Sequence, residues 1–401
     1  MLVDGGIPGE VVEVELTHRR KRTWFARVTA VSEPSPFRVT PPCPYVPSCG
    51  GCQLQHVAYA HQLTLKRGIV EDAMRRQEVA LAAPVRVHGM DDPWRYRWRG
   101  EFHVVRAPDG GVQGLGFNRL RSWTPIAVAD CLIHHPTITN ALPALVEAAR
   151  TEAADTLSLL HLTVGDDGRE LLVLPKPAGG LGEAAIAQVA RGLPEATRLS
   201  TAGTTLHWRG RLFRAAAESF IQVNQGQLDV LYGCVLAALE DVLDGGRVVD
   251  AYAGIGLLGV VLAERAREVV CLESNRTAAT FGVLNARLNG VEDRLWYVAQ
   301  PVERALSGVV EHEPVDALVL DPPRAGCDGR VTAWLALAGP ARVVYASCDP
   351  ATLARDLHLL VTSGPYRLES LDLVDMFPQT HHVECVAALH RRDGPAEIGA
   401  S

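Results

Sequence analysis

The sequence predicts an α/β protein whose C-terminal part, residues 215–401, is a doubly wound, Rossmann-like domain. From about residue 215, short apolar runs that are typical of buried strands alternate with helical segments, as a parallel sheet covered on both faces requires. The first of these strands leads into a glycine-rich turn, V-V-D-A-Y-A-G-I-G-L-L-G. Two later strands end in D-P-P-R and in S-C-D-P, so polar and reactive groups follow strands of the same sheet.

Residues 41–214 predict a central β-rich α+β domain, and residues 1–40 predict short strands. The segments E-V-V-E-V-E-L and W-F-A-R-V-T-A-V have the period-two pattern and β-branched content of strands. The run W-R-Y-R-W-R at 94–99 alternates strictly, which predicts aromatic side chains on one face of a strand and arginines on the other. Helices are predicted near 57–79, 136–153, 181–192 and 226–243.

Composition places the chain among ordinary globular proteins. It has 401 residues, of which 47% are hydrophobic, and about 100–200 residues per domain gives two to four domains. No run reaches the ~18 apolar residues of a membrane span, and no basic and apolar leader opens the chain. We therefore expect a monomer in the cytoplasm with no membrane partner.

Charge is distributed unevenly along the chain. Residues 1–150 contain 18 Lys and Arg against 14 Asp and Glu, whereas the remainder contains 21 against 32. A basic front half predicts contact with a polyanion. On charge alone, chance clustering explains the same counts.

The glycine turn fits the pattern G-x-G-x-x-G at Gly254, Gly256 and Gly259. Glu273 ends the next strand, where such folds place a carboxylate that binds ribose. This pattern alone fits a nicotinamide-dependent dehydrogenase, a methyltransferase or a glycine turn that binds no nucleotide. Asp321, followed by two prolines at the ligand-binding edge, suits a planar base held against a methyl donor and favours the methyltransferase.

Cys348 lies where a strand ends and a helix begins. Asp349 or Ser347 can cap this helix, and the helix N-terminus is expected to lower the thiol pKa. Methyl transfer to C5 of a pyrimidine needs such a nucleophile, and afterwards a base that removes the C5 proton. Glu384 in H-H-V-E-C is the candidate base. The alternatives are a core cysteine and a surface glutamate.

Cys43, Cys49 and Cys52 fall within one ten-residue window rich in glycine and proline. A disulfide framework is not expected in a reducing cytoplasm, so this spacing indicates a metal site. Thiolate ligands in a compact loop suit zinc and a four-iron cluster equally.

Five segments, in this order, closely resemble the bacterial RNA 5-methyluridine (uracil-C5) methyltransferases: F-I-Q-V-N, D-A-Y-A-G-I-G, D-P-P-R-A-G, Y-A-S-C-D-P-A-T-L-A-R-D-L and D-M-F-P-Q-T-H-H-V-E. The resemblance covers about residues 40–393. It implies S-adenosyl-L-methionine as methyl donor, RNA as substrate, Cys348 as nucleophile and Glu384 as base. It implies contacts to the cofactor or the base from Gln222, Tyr252, Gly254, Glu273, Gln300 and Asp321. Leu257 stands where many members have an asparagine.

The resemblance also identifies Cys131, in V-A-D-C-L-I, as a fourth ligand and places a 4Fe-4S cluster ahead of zinc. A four-cysteine loop is more similar to the ribosomal RNA branch than to the transfer RNA branch. Family members begin with a small OB-like, TRAM-like β-barrel that binds RNA. Residues 1–40 resemble the middle of that barrel, which predicts a truncated barrel or an upstream start. The remaining alternatives are a nicotinamide-dependent oxidoreductase and a non-catalytic RNA-binding protein that keeps the fold.

Overall fold

A computed structural model describes residues 1–150, 156–195 and 197–392 of the chain. The strands are β1 Leu2–Asp4, β2 Val11–Arg20, β3 Thr23–Glu33, β4 Arg86–His88, β5 Arg99–Arg106, β6 Val112–Asn118, β7 Pro125–Ala127, β8 Leu159–Gly165, β9 Glu170–Lys176, β10 Arg198–Ser200, β11 Gly203–Trp208, β12 Arg211–Ala216, β13 Arg247–Ala251, β14 Glu268–Leu272, β15 Leu295–Val298, β16 Ala317–Leu320, β17 Arg342–Ser347, β18 Tyr366–Val374 and β19 Glu384–Arg391. The helices are α1 Tyr59–Arg76, α2 Pro136–Ala149, α3 Glu183–Gly192, α4 Leu228–Ala238, α5 Glu240–Leu243, α6 Leu257–Leu262, α7 Arg276–Leu288, α8 Val302–His312, α9 Gly329–Ala338 and α10 Pro350–Leu357.

The four predicted helical stretches are confirmed with shifted ends. The first becomes α1, and the last becomes α4 and α5 in succession. The prediction near 136–153 becomes α2, and its final residues lie outside the described part of the chain. Pro136 opens α2, where a missing N–H costs nothing.

The predicted doubly wound sheet is present, with strand order β15-β14-β13-β16-β17-β19-β18-β4. The first five of these strands run parallel. The prediction of a parallel sheet is wrong at the next position, because β19 runs antiparallel to both β17 and β18. The chain returns from β18 to β19 within the same sheet, and this reversal brings the start of β19 to the end of β17.

Two elements from the front half of the chain pack with this sheet. β4 pairs in parallel with β18 and forms the edge of the sheet. Helix α1 buries Val70 and Met74 in the core against the sheet. In addition, the Lys66 ammonium on α1 forms a fully buried ion pair of 2.6 Å with Asp375, which follows β18. The domain boundaries at 40 and 214 stay a prediction.

A second sheet has the order β10-β9-β8-β5-β6-β7. Its core packs against α2 and α3 through apolar side chains such as Phe102, Leu142 and Val189. At the N-terminus, β1, β3 and β2 form a three-stranded sheet, so the strands predicted in residues 1–40 are confirmed.

The strand predicted over 94–99 is wrong, since β5 begins only at Arg99. Arg95 has a left-handed backbone, with φ of 53°, and this conformation breaks the alternation. Its guanidinium pairs with Asp130 through two bonds of 2.7 Å. Tyr96 is buried and donates to the carbonyl of Pro378 at 2.8 Å. These side chains therefore connect segments of the fold and do not form a free arginine face.

Candidate active site

Strand ends meet at one edge of the large sheet. Parallel register places Leu320, the last residue of β16, opposite both Ala251 and Tyr345. The antiparallel pair Ser347 and Cys385 sets the end of β17 against the start of β19. The residue after Ser347 and the residue before Cys385, which are Cys348 and Glu384, are therefore neighbours.

The glycine turn between β13 and α6 has an unusual backbone. Tyr252, Gly254 and Gly256 all have left-handed φ angles, of 67°, 57° and 84°. A Cβ added at Gly256 would lie 2.4 Å from the hydroxyl of Tyr297, so a side chain does not fit there. The Glu273 carboxylate accepts a hydrogen bond of 2.9 Å from the Gly254 amide, which fixes the turn against the end of β14.

A narrow cavity of about 60 Å³ opens beside this turn. Its lining includes Gln222, Tyr252, Gly254 and Asp321, which come from three separate segments. Gln300 is exposed and follows the edge strand β15, and it does not line this cavity. The enclosed space takes only part of a nucleoside-sized ligand, so the rest of such a ligand would lie along the open sheet edge.

Three carboxyl groups lie at the strand ends: those of Asp250 and Glu384 are buried, and that of Asp321 is half-buried. Burial raises the pKa of Asp250 to about 8, and repulsion from Asp321 and Glu273 adds to the shift. Burial likewise raises the pKa of Asp321. The pKa of Glu384 lies well above its usual range because of burial and then repulsion from Asp321, against which Arg324 acts. One oxygen of Asp250 has no hydrogen-bond partner, which leaves a buried acceptor in the cavity wall.

Cys348 is half-buried and lies two residues before the start of α10. The expected lowering of its pKa by the helix N-terminus is wrong, because burial and then the neighbouring Glu384 raise it. The predicted helix cap at Asp349 is present, and it explains part of the difference between the expected and the observed direction of the Cys348 pKa shift. The Asp349 side chain accepts the first free amides of α10, from Ala351 and Thr352, both at 2.9 Å. These amides are therefore not available to a thiolate.

Arg324 is a residue of this site that the sequence prediction missed, although it stands in the motif D-P-P-R. Its charge favours the Cys348 thiolate and the Glu384 carboxylate. The guanidinium lies 3.3 Å from Nδ1 of His382. Burial, and then His381 and Arg324, lower the pKa of His382 to about 4, so this imidazole is neutral at pH 7 and accepts the bond. The sequence prediction missed Asp250 as well. The one feature that could have indicated it is an acidic residue within an otherwise apolar strand.

The four predicted cysteine ligands line one cavity of about 500 Å³: Cys43, Cys49, Cys52 and Cys131. Burial, partly offset by a hydrogen bond from Gln55 and reinforced by the neighbouring thiols, raises the pKa of Cys52 to about 12. Burial raises the pKa of Cys131 to about 12 as well. Each of these thiols resists ionisation, and as thiolates they would repel one another. A bound cation would stabilise such a set of thiolates. The residues present therefore fit a metal centre.

Closely spaced ligand atoms occur away from the four cysteines. Within the described ranges, three ligand atoms within 4.8 Å of one another occur only in His88, Cys234 and Asp372. No three of the four cysteine sulfurs lie that close. Tetrahedral zinc, with Zn–S bonds of about 2.3 Å, holds its sulfurs closer than that.

The group His88, Cys234 and Asp372 has a structural explanation. The Asp372 carboxylate accepts two bonds from Arg86, of 2.7 and 2.5 Å, and lies 2.8 Å from Nε2 of His88. This ion pair joins the edge strand β4 to β18. A cation placed there would lie against the Arg86 guanidinium, so we assign these side chains to sheet pairing.

Known proteins are similar to this chain in sequence and in fold. Residues 201–392 match the tRNA (Uracil-5-)-methyltransferase family. An uncharacterized RNA methyltransferase of Listeria monocytogenes is 33% identical over 435 residues, which cover 98% of this chain and 93% of the relative. The 23S rRNA (uracil(1939)-C(5))-methyltransferase RlmD of Shewanella amazonensis is 33% identical over 407 residues, which cover 96% and 90%. The fold and site define a methyltransferase, and the chain belongs to the RNA uracil-C5 methyltransferase family.

A solved structure shares the architecture along nearly the whole chain. The Pyrococcus abyssi tRNA (uracil-54, C5)-methyltransferase, in complex with S-adenosyl-L-homocysteine, superposes with a TM-score of 0.72 at 23% identity. The match covers 96% of this chain and 95% of that one, and it confirms the predicted fold class. Family membership decides against the nicotinamide-dependent oxidoreductase that the glycine turn alone left open. Among helices in the part of the chain that the structure describes, none is long and apolar enough to cross a membrane.

Proposed function

We propose that this enzyme transfers the methyl group of S-adenosyl-L-methionine to C5 of a uridine in RNA, with Cys348 as nucleophile and Glu384 as proton-abstracting base. The observation that carries this proposal is the adjacency of the two side chains at the end of β17 and the start of β19. A thiol and a carboxyl group on one side of a flat pyrimidine can act on C6 and C5, which are bonded neighbours.

The chemistry requires both groups in turn. Cys348 adds as a thiolate to C6 of the uracil, and the resulting enolate makes C5 nucleophilic. S-adenosyl-L-methionine, when bound, supplies an electrophilic methyl group on a sulfonium. Glu384 then takes the proton from C5, the electron pair re-forms the C5–C6 double bond, and the Cys348 thiolate leaves.

The reaction uses the ionised forms of Cys348 and Glu384, and burial opposes the ionisation of both. The raised pKa of Glu384 makes its carboxylate a stronger base than an exposed glutamate. Arg324 is the nearby cation that favours the thiolate of Cys348. We assign Arg324 the role of stabilising the nucleophile, with neutral His382 holding its guanidinium.

The cofactor site is proposed at the glycine turn. Gln222, Tyr252, Gly254 and Asp321 line the cavity there, and Glu273 fixes the turn through the Gly254 amide. Gln300 lies at the same sheet edge, because β15 runs parallel to β14. Its exposed side chain suits an outer contact to the nucleoside. Leu257 is buried, so it contributes an apolar wall and not the amide of an asparagine.

For the cysteine cavity we propose a 4Fe-4S cluster, held by Cys43, Cys49, Cys52 and Cys131. Four cysteines lining one cavity support a metal centre, and the family resemblance places a cluster ahead of zinc. Its role is structural, since methyl transfer includes no redox step. Iron and sulfide analysis together with visible absorbance tests this assignment: a brown protein with iron supports it, and a colourless protein that contains zinc overturns it.

The proposed RNA-binding face lies beside the cysteine cavity. Trp123 is 93% exposed, in a turn that also carries the exposed Arg119 and Arg121. The Arg121 guanidinium stacks 4.3 Å from the ring of Phe25, next to the exposed basic hairpin turn at 18–22. Exposed aromatic rings among basic side chains are typical of surfaces that bind single-stranded RNA.

Ribosomal RNA is the favoured substrate and transfer RNA the alternative, and we place the enzyme in the cytoplasm as a monomer. The test supplies unmodified ribosomal and transfer RNA with labelled S-adenosyl-L-methionine and analyses the digested nucleosides. Labelled 5-methyluridine from ribosomal RNA is the expected result. A different methylated nucleoside would overturn the proposed reaction, and label in transfer RNA alone would overturn the choice of substrate.

A further inference from the structure

Gln379 has a backbone conformation that needs support from its surroundings. Its φ is 69°, in the left-handed region, and only 2% of the residue is exposed. Residues other than glycine rarely take this conformation unless contacts around them hold it. Gln379 stands between β18 and β19, five positions before Glu384.

The contacts that hold Gln379 come from the cysteine loop and from α1. Its carbonyl oxygen accepts hydrogen bonds from the amides of Gln53 and Leu54, both at 3.0 Å. Its side-chain oxygen accepts from Nε2 of Gln62 at 2.9 Å, and its own amide donates to Oε1 of Gln62 at 3.1 Å. Every polar partner named here therefore lies in residues 53–62.

These partners adjoin the cysteine ligands directly. Gln53 follows Cys52 in the sequence, and its side chain donates to the carbonyl of Gly50 at 2.6 Å. Its side-chain oxygen also lies 3.1 Å from Nδ1 of His381. Gln53, the residue after the predicted ligand Cys52, therefore links the cysteine loop to both Gln379 and His381 by hydrogen bonds.

The segment between Gln379 and Glu384 is short, and the residues on either side of Gln379 are held by hydrogen bonds as well. Lys66 donates to the carbonyl of Phe377 at 2.9 Å, and Thr380 donates to the same carbonyl at 2.8 Å. Glu384 itself is buried, so its carboxyl group takes its position from the backbone that leads to it. Four residues separate Gln379 from Glu384, so a shift at Gln379 would act on the start of β19 where Glu384 pairs with Val374.

We propose that Gln379 is a positioning residue that couples the order of the cysteine loop to the placement of Glu384. This inference rests on the proposed function, in which Glu384 removes the C5 proton. Loss of the coupling slows that last step, in which the C5–H bond breaks, the proton passes to Glu384, and the Cys348–C6 bond breaks. The methylated RNA then stays attached to Cys348.

The test uses Gln379→Met, which keeps the length of the side chain and removes its amide. RNA carrying ordinary uridine is incubated with labelled S-adenosyl-L-methionine, and the label is divided between free RNA and a protein–RNA adduct that survives denaturant. Glu384→Gln serves as the reference for a missing base. Gln113→Met, at an exposed position on β6, is the matched control.

We expect the amount of label in the protein–RNA adduct to be at least about 5-fold higher for Gln379→Met than for the parent protein or the Gln113→Met control. If Glu384→Gln accumulates the adduct and Gln379→Met does not, Gln379 has no positioning role and this inference is wrong. If Glu384→Gln also fails to accumulate it, the proposed function fails and the inference fails with it.

A second measurement does not depend on the folding of a variant. Amide hydrogen exchange is compared in the parent protein before and after a chelator removes its metal. We expect exchange in residues 379–386 to become several-fold faster, while exchange in α7 stays unchanged. Equal exchange in residues 379–386 would show that the cysteine loop does not control this segment.

Discussion

Cys348 and Glu384 are neighbours on adjacent antiparallel strands, since the pair Ser347 and Cys385 closes the ladder between β17 and β19. The reversal of β19 within an otherwise parallel run produces this adjacency. In a sheet with β19 parallel, its first residue would lie at the opposite edge. The topology thus supplies a nucleophile and a base at one point without a loop that must fold over the site.

The buried ion pair between Lys66 and Asp375 ties α1 to the segment after β18. We expect Lys66→Met to lower the free energy of unfolding by about 3–5 kcal/mol, because Asp375 would stay buried with only the hydroxyl of Tyr59 as a partner. Urea denaturation measures this loss. Arg67→Met, which removes an exposed side chain on the same helix, is expected to change the stability by less than about 1 kcal/mol. Equal effects of the two substitutions would contradict the account.

Trp123 tests the RNA-binding face. Trp123→Ala is expected to weaken RNA binding by about 5- to 150-fold, since stacking of one base on an aromatic ring contributes about 1–3 kcal/mol. Thermal stability should not change, because the indole is 93% exposed. Trp296→Ala, at a tryptophan that is 55% exposed on the edge strand β15, is the matched control for binding. Fluorescence anisotropy with labelled RNA distinguishes the two, and equal affinities would exclude Trp123 from the interface.

Cofactor binding should release protons near neutral pH. The pKa of Asp250 is raised to about 8, so its carboxyl group is largely protonated at pH 7 in the free protein. A bound sulfonium favours the carboxylate and lowers that pKa, so the proton leaves and affinity rises as the pH increases from 7 to 8.

Calorimetry in two buffers with different ionisation enthalpies counts these protons. S-adenosyl-L-homocysteine, which has no sulfonium charge, should release fewer, and Asp250→Asn should reduce the release seen with S-adenosyl-L-methionine. Asp293→Asn, at an exposed position, is the control. Proton uptake on binding, or an equal count for both ligands, would contradict a role for the buried carboxyl groups.

Local pattern predicted the sheet and several of its details. The glycine turn, the cap at Asp349 and the strand positions of Asp321 and Cys348 follow from apolar runs bounded by turn residues. Such signals lie within a few neighbouring positions, so a single sequence contains them.

What the sequence could not predict depends on contacts between distant segments. Arg95 departs from the strand pattern where its side chain pairs with Asp130. The pKa of Cys348 is raised first by burial and then by Glu384, which lies on another strand. The pairing of β4 with β18 likewise joins residues that lie far apart in the chain. None of these partners is visible from local periodicity.

Covalent capture of RNA tests the central claim most directly. With RNA that carries 5-fluorouridine and with S-adenosyl-L-methionine present, the fluorine at C5 cannot leave as a proton does, so the enzyme should remain bound through Cys348. We predict a denaturant-resistant protein–RNA band for the parent protein and for Cys234→Ala, and none for Cys348→Ala. An adduct formed by Cys348→Ala, or none formed by a parent protein that methylates uridine RNA, would contradict the assignment of Cys348 as the nucleophile.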